Sequence, residues 1–191
     1  MKFLFLLFVF PLVAGMNVTA FSGSLRSGSY NKKLIQQAVK FAEEMGATVT
    51  VVDLKDYPMP FYDADLEASQ GMPKMAKKFR DLLLASDAII ISTPEYNGSI
   101  SAVLKNAIDW ASRSPEGRFS TDAFQGKKFA IMNASPRKQG GVSALGHLRY
   151  ILEDLGGEVV DKPVAFGSVY DGFAKKELSS LKEEISQLVK P

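Results

Sequence analysis

Cysteine is absent from the 191-residue sequence, and histidine occurs once, at His147. Without a thiol there is no disulfide, no thiolate metal site, no cysteine nucleophile and no dithiol redox pair. One histidine leaves little for a histidine-rich metal site or a His-dependent triad. Net charge is nearly absent too: 23 Lys and Arg against 21 Asp and Glu give +2, so bulk electrostatics call for neither nucleic acid nor a membrane surface. With 46% hydrophobic and 23% charged residues, disordered, collagen-like and disulfide-scaffold classes are excluded. One α/β or α+β domain is expected at this length, burying well over half of the surface of the unfolded chain. If the protein is an enzyme, its reactive chemistry belongs to a bound cofactor rather than to side chains.

A membrane-length apolar run is missing as well. The stretch at residues 3–13 falls short of the roughly 20 residues that a spanning helix needs. With Lys2 before it and Ala14 and Gly15 after it, the leader has the form of a short signal peptide. Met16, however, stands immediately before an apparent first strand. A eukaryotic secretory route would also expose the sequon Asn97-Gly98-Ser99, which belongs to a ligand loop in this reading. We therefore read residues 1–15 as a mis-assigned start or dispensable extension of a cytoplasmic protein. A cleaved signal, and hence export, is the alternative, and stable membrane insertion is not expected.

From residue 16 to residue 191 short apolar runs alternate with longer amphipathic ones, the pattern of βαβ units on a parallel sheet. Strands are expected at 18–21, 48–54, 88–92, 127–134 and 159–166, and helices at 31–46, 73–85, 102–111, 142–155 and 172–189. This predicts one domain: a three-layer, doubly wound α/β fold on a five-stranded parallel sheet. Residues 57–62, Tyr-Pro-Met-Pro-Phe-Tyr, are too broken for regular structure and read as a functional loop. Ligands of such sheets bind at the carboxyl ends of strands, so the polar exits of strands one, three and four are candidates for one shared site.

The first exit, residues 22–31, packs glycines, four serines and Arg26 between a strand and a helix. Amides at a helix N-terminus, hydroxyls and a guanidinium make a cradle for a mononucleotide phosphate. The spacing of Gly23 and Gly28 mimics a Walker A motif, but Ser29 and Tyr30 stand where Lys and Ser/Thr belong. In the second exit Pro94 rigidifies the loop, Gly98 permits close backbone approach, and Tyr96 offers a flat face to a planar heterocycle. The helix of residues 102–111 reads as structural: Leu104, Ala107, Ile108 and Ala111 face the sheet, Trp110 packs at the helix end or a subunit contact, and Asp109 is placed to pair with Lys105. His147 reads as a surface or interface residue. The segment Gly141-Val142-Ser143-Ala144-Leu145 lacks the last glycine of a nucleophile elbow, which argues against a serine hydrolase.

The stretch Gly23-Ser24-Leu25-Arg26-Ser27-Gly28-Ser29-Tyr30-Asn31, followed by Pro94-Glu95-Tyr96-Asn97-Gly98-Ser99 and by residues 104–110, closely resembles the NAD(P)H-dependent FMN reductase family. This flavodoxin-like group includes bacterial chromate and quinone reductases and some azoreductases. The resemblance covers nearly all of residues 16–191. It implies an FMN phosphate held by Ser24, Arg26, Ser29, Tyr30 and Asn31, and an isoalloxazine beside Pro94, Glu95, Tyr96, Asn97, Gly98 and Ser99. Ser135, Gly140 and Gly141 resemble the third flavin-contacting loop, which here carries Arg137 and Lys138 and is more basic than the family pattern. These two cations are expected to attract an anionic partner: the phosphates of the pyridine nucleotide or an oxyanion acceptor. The activity implied is hydride transfer from NADPH or NADH to FMN, then two-electron reduction of a quinone, an azo- or nitro-aromatic, chromate or free flavin. A homodimer or homotetramer is also implied, with residues 59–62 at a shared mouth. Two alternatives remain: a flavodoxin-type electron carrier, disfavoured because the chain is not strongly acidic, and a non-catalytic regulatory relative.

Overall fold

In the computed structural model, which describes residues 15–190, three apolar strands stack in parallel at the centre of a sheet covered on both faces by helices. The strands are β1 (Asn17–Ser22), β2 (Thr48–Asp53), β3 (Ala88–Ser92), β4 (Lys128–Ala134), β5 (Glu158–Val159) and β6 (Val164–Phe166), and all the pairings are parallel. Between them run α1 (Tyr30–Glu44), α2 (Ala64–Gln70), α3 (Lys74–Leu84), α4 (Ala102–Ala111), α5 (Val142–Asp154) and the closing α6 (Lys175–Val189). The order β2-β1-β3-β4-β5 is that of a flavodoxin-like, doubly wound sheet. Apart from Gly15, the leader lies outside the described residues. No helix among the described residues is long and apolar enough to cross a membrane.

Alternation along the strands builds two cores. Phe21, Ile89, Ile91, Phe129 and Ile131 point to the face covered by α3, α4 and α5, where they meet Phe79, Leu104 and Leu148. Val18, Ala20, Ile90, Ala130 and Met132 point to the other face, against Leu34, Ala38, Leu181 and Ile185 of α1 and α6. Ile89, Ile90 and Ile91 in β3 are at most 1% exposed, and burying each contributes about 1.5–3 kcal/mol.

Three expectations need correction. The fifth strand is not continuous: β5 and β6 both pair with β4, the Val160 amide makes the last bond of the first segment to Phe129 O at 2.9 Å, and residues 161–163 leave the ladder. Pro163 has no amide to donate, and Asp161 and Lys162 do not suit a doubly covered strand. Polar side chains from both faces repair this break. The Arg149 guanidinium of α5 donates to the carbonyls of Val159, Val160 and Asp161 at 3.3, 2.8 and 3.4 Å. From α6, Glu184 Oε1 accepts from the Ile131 amide of β4 at 2.9 Å.

The strict alternation of single helices also fails, because α2 interrupts the long connection after β2. Asp63 starts it by accepting from the amides of Asp65 and Leu66, an N-cap followed by only seven helical residues. The closing helix begins at Lys175 rather than at residue 172; Gly172 has φ 105°, outside helical geometry.

Candidate active site

The strand order reverses between β1 and β3, and the loops after β1, β3 and β4 gather at that point. The first is bound tightly to the second. Gly23 N–H donates to Ser92 O at 2.8 Å, and Ser101 Oγ donates to Gly23 O at 2.5 Å. A Cβ on Gly23 would stand 3.0 Å from Leu104 Cβ and 3.1 Å from Ser101 Oγ, so a side chain there would have to push α4 aside by a few tenths of an ångström. Ser24 Oγ accepts from Arg26 N, and Ser29 is the N-cap of α1, its Oγ accepting from Lys32 N. Lys32 is drawn away to Asp53 at 2.5 Å. Against the cost of its burial, that bond and the Lys55 amide hold the Asp53 carboxyl below its usual range. Arg26 is exposed and makes no ion pair among the described residues. It is therefore the cation that the first loop leaves free beside the α1 N-terminus.

The second loop leaves β3 through the buried Thr93 and Pro94 and reverses in a two-residue turn, where the Tyr96 and Ser99 amides donate to each other's carbonyls at 2.9 and 3.1 Å. Asn97 and Gly98 have φ 52° and 78°, the conformation a type I′ turn demands of an Asn-Gly pair. Tyr96 stands half exposed beside it.

The third loop packs on the end of β6 and the chain just after it: Ser135 N–H donates to Phe166 O at 2.9 Å, and Ser168 N–H to Arg137 O at 3.2 Å. A Cβ on Gly141 would overlap the Asn133 side chain. That side chain in turn ties β4 to the second loop through Thr93 O at 2.5 Å. The N-cap of α5 is thus confined to glycine and has no capping side chain of its own. Glu95 caps α5 instead, accepting from Ala144 N at 3.1 Å, with Arg137 Nη1 3.5 Å from its other oxygen.

One cleft opens between the three loops. Ser24, Arg26, Ser29, Tyr30, Asn31, Pro94, Glu95, Tyr96 and Ser135 border it, and Ala134 and Pro136 complete its wall. Sequence reasoning singled out the first nine; the last two carry no chemical signal in their side chains. Asn97, Gly98, Ser99, Gly140 and Gly141 are not part of this wall. They shape the loops behind it, with Ser99 Oγ 3.1 Å from His147 Nδ1 and Gly140 at φ 68° against Ala165. Asn31 spends its side chain on Ser92 and Ala134.

A separate, mostly apolar recess of about 190 Å³ lies between Leu25, Tyr57, Met59, Val103 and Ala107. Pro60 O accepts from Asn106 Nδ2 at 2.9 Å and Trp110 Nε1 at 2.8 Å. Trp110 therefore anchors the loop of residues 57–62 from a fully buried position. Lys105 and Asp109 pair as expected, at 2.6 Å. Among the described residues no cluster of three acidic or histidine side chains is placed to hold a metal ion.

Comparison with known proteins agrees with this geometry. The family described as NADPH-dependent FMN reductase matches residues 16–171. An NAD(P)H-dependent FMN reductase of Pseudomonas aeruginosa is 41% identical over 159 residues, covering 83% of this chain and 81% of that protein. A quinone reductase of Escherichia coli strain K12 is 35% identical over 157 residues, 81% and 78% of the two chains. Among solved structures, a flavoenzyme NAD(P)H:(acceptor) oxidoreductase from Paracoccus denitrificans superposes with a TM-score of 0.71 at 27% identity, over 91% of this chain and 98% of that one. With the switch-point cleft, the serine- and arginine-bearing loop at the α1 N-terminus and a sequence match over most of the described residues all in agreement, the chain belongs to the NADPH-dependent FMN reductase family and is an oxidoreductase that works with FMN and NAD(P)H.

Proposed function

We propose that the cleft holds FMN and that the protein passes reducing equivalents from NAD(P)H to quinones, with azo- and nitro-aromatics, chromate and free flavin as further acceptor classes. The observation that carries the residue assignment is the exposed Arg26, without an ion pair among the described residues, beside the N-terminus of α1 in a cleft with hydroxyls at Ser24 and Ser29. A phosphate monoester suits that donor set: guanidinium, hydroxyls and helix N-terminal amides. Pro94 and Tyr96 supply flat walls for a planar ring. When bound, FMN would supply the two-electron redox chemistry between NAD(P)H and the acceptor, with Ser24, Arg26 and Ser29 holding its phosphate.

The protein's own part is to bind and to orient. Asn31 and Ser101 fix the loops, Glu95 joins the second loop to α5, and no side chain is assigned a proton transfer. His147 is outside the cleft wall, bonded to Ser99. The same reading takes the protein as a cytoplasmic homodimer or homotetramer; light scattering and mass spectrometry of the mature N-terminus check those two points.

The deciding experiment is purification followed by absorbance, FMN reconstitution and NAD(P)H oxidation with a quinone. Yellow protein that turns over is expected. Colourless protein that takes up no FMN overturns the cofactor assignment, and flavin-loaded protein inert toward NAD(P)H points to an electron carrier.

A further inference from the structure

We propose that Arg137 and Lys138 form a second phosphate position on the rim of the cleft, distinct from Arg26, which holds a phosphate of the nicotinamide dinucleotide. The inference rests on the reading of the cleft as an FMN site and adds the element that docks the co-substrate. The reaction requires two phosphate-bearing molecules on one cleft at the same time, so a single cationic position does not suffice. On the first loop's side Arg26 is, among the described residues, the one cation without a partner: Lys32 is paired with Asp53, and Lys33 lies over the Tyr30 ring at 5.3 Å from its centroid. The opposite wall runs from Ser135 and Pro136 directly into Arg137 and Lys138.

The backbone that carries these cations is built rather than loose. Arg137 N donates to Ser135 Oγ at 3.2 Å, and Arg137 O accepts from both Gly140 N and Ser168 N, at 3.0 and 3.2 Å. Gly167 packs so closely beneath that a Cβ there would overlap the Arg137 and Lys138 carbonyls. From this fixed base the Arg137 side chain stands 70% exposed. Its ion pair, with Glu95 at 3.5 Å, is long, and Glu95 is already committed to the Ala144 amide. Most guanidinium donors are therefore open to a ligand, because the one contact to Glu95 is long and is made from an exposed side chain. Lys138 is exposed and has no ion pair among the described residues. A planar fork beside a mobile point charge suits a phosphate group.

Two sources offer that chemistry: the pyrophosphate shared by NADH and NADPH, and the 2′-phosphate of NADPH alone. FMN-loaded wild type, K138Q and R137Q/K138Q are compared in steady-state KM for both nucleotides, and by calorimetric titration with NADP+ and NAD+, which bind without turnover. K138Q leaves the Glu95 pair intact, so its loss reports direct contact. The expected result is at least a tenfold rise in KM and Kd for the double variant, with a smaller rise for K138Q. A rise confined to NADPH and NADP+ assigns the 2′-phosphate; a rise for all four assigns the pyrophosphate. Unchanged constants in samples whose flavin absorbance is retained sink this proposal alone, whereas protein unable to take up FMN sinks the reading of the cleft and this inference with it.

Discussion

Asn31 closes a two-bond bracket on the peptide of Ala134: its Nδ2 donates to Ala134 O and its Oδ1 accepts from Ala134 N, both at 2.9 Å. Ser92 Oγ donates to the same Oδ1 at 2.7 Å. One buried amide in the first turn of α1 thus joins the exits of β3 and β4, and with them all three loops of the cleft. Asn31→Ala leaves the Ala134 peptide and the Ser92 hydroxyl without partners in a dry site, an expected loss of about 2–4 kcal/mol. Ser92→Ala removes one bond and is expected to cost about 1 kcal/mol. Urea denaturation ranks the two, and a Ser92→Ala loss equal to that of Asn31→Ala would contradict the bracket's role.

The part of this arrangement that was legible in the sequence is the part written locally. The Ile89-Ile90-Ile91 run and the helical stripe of Leu104, Ala107, Ile108 and Ala111 each carry their own signal, and each stands where the pattern put it. The Asn31 bracket spans 103 residues and the Glu95 cap 49, so no window of sequence contains both partners. Glu95 illustrates the consequence: its motif suggested proximity to a ring, while its carboxylate is occupied at a helix end that Gly141 is unable to cap. The break at residues 161–163 was only half written, since Pro163 was visible but its rescue by Arg149 and Glu184 is tertiary.

Arg26 separates cofactor binding from stability. Exposed and without an ion pair among the described residues, it adds little to the fold. Arg26→Ala is expected to leave the thermal midpoint of the apo-protein within about 2 °C. FMN affinity should fall by about 1.5–3 kcal/mol, on the order of 10- to 100-fold in Kd. Quenching of flavin fluorescence on titration measures it, and an unaltered Kd would remove Arg26 from the phosphate site.

Glu95 is expected to behave as a cap. Glu95→Ala leaves the Ala144 amide open and removes a negative charge from the positive end of α5, costing about 1–2 kcal/mol. Glu95→Gln keeps an acceptor and should cost less than half as much. FMN binding by Glu95→Gln should then stay near wild type while Glu95→Ala weakens it. Equal losses in both variants would show that the charge, rather than the hydrogen bond to α5, is what the cleft needs.

Glu184 sets a pH dependence of stability. Burial in α6 beneath the sheet break pushes its carboxyl up to about 8, against the opposing pull of the Ile131 amide and of Arg149. In the unfolded chain the same group releases its proton near 4.5. Between those two values the native state holds more protons than the unfolded one, so stability decreases as pH rises through the window and is level on either side. The loss amounts to a few kcal/mol at most. Glu184→Gln keeps an oxygen for the Ile131 amide without a group to ionise. Its urea midpoint should therefore stay flat from pH 5 to pH 8 and exceed that of the wild type at pH 8. Parallel profiles for the two proteins would mean that the Glu184 proton is not held by the fold.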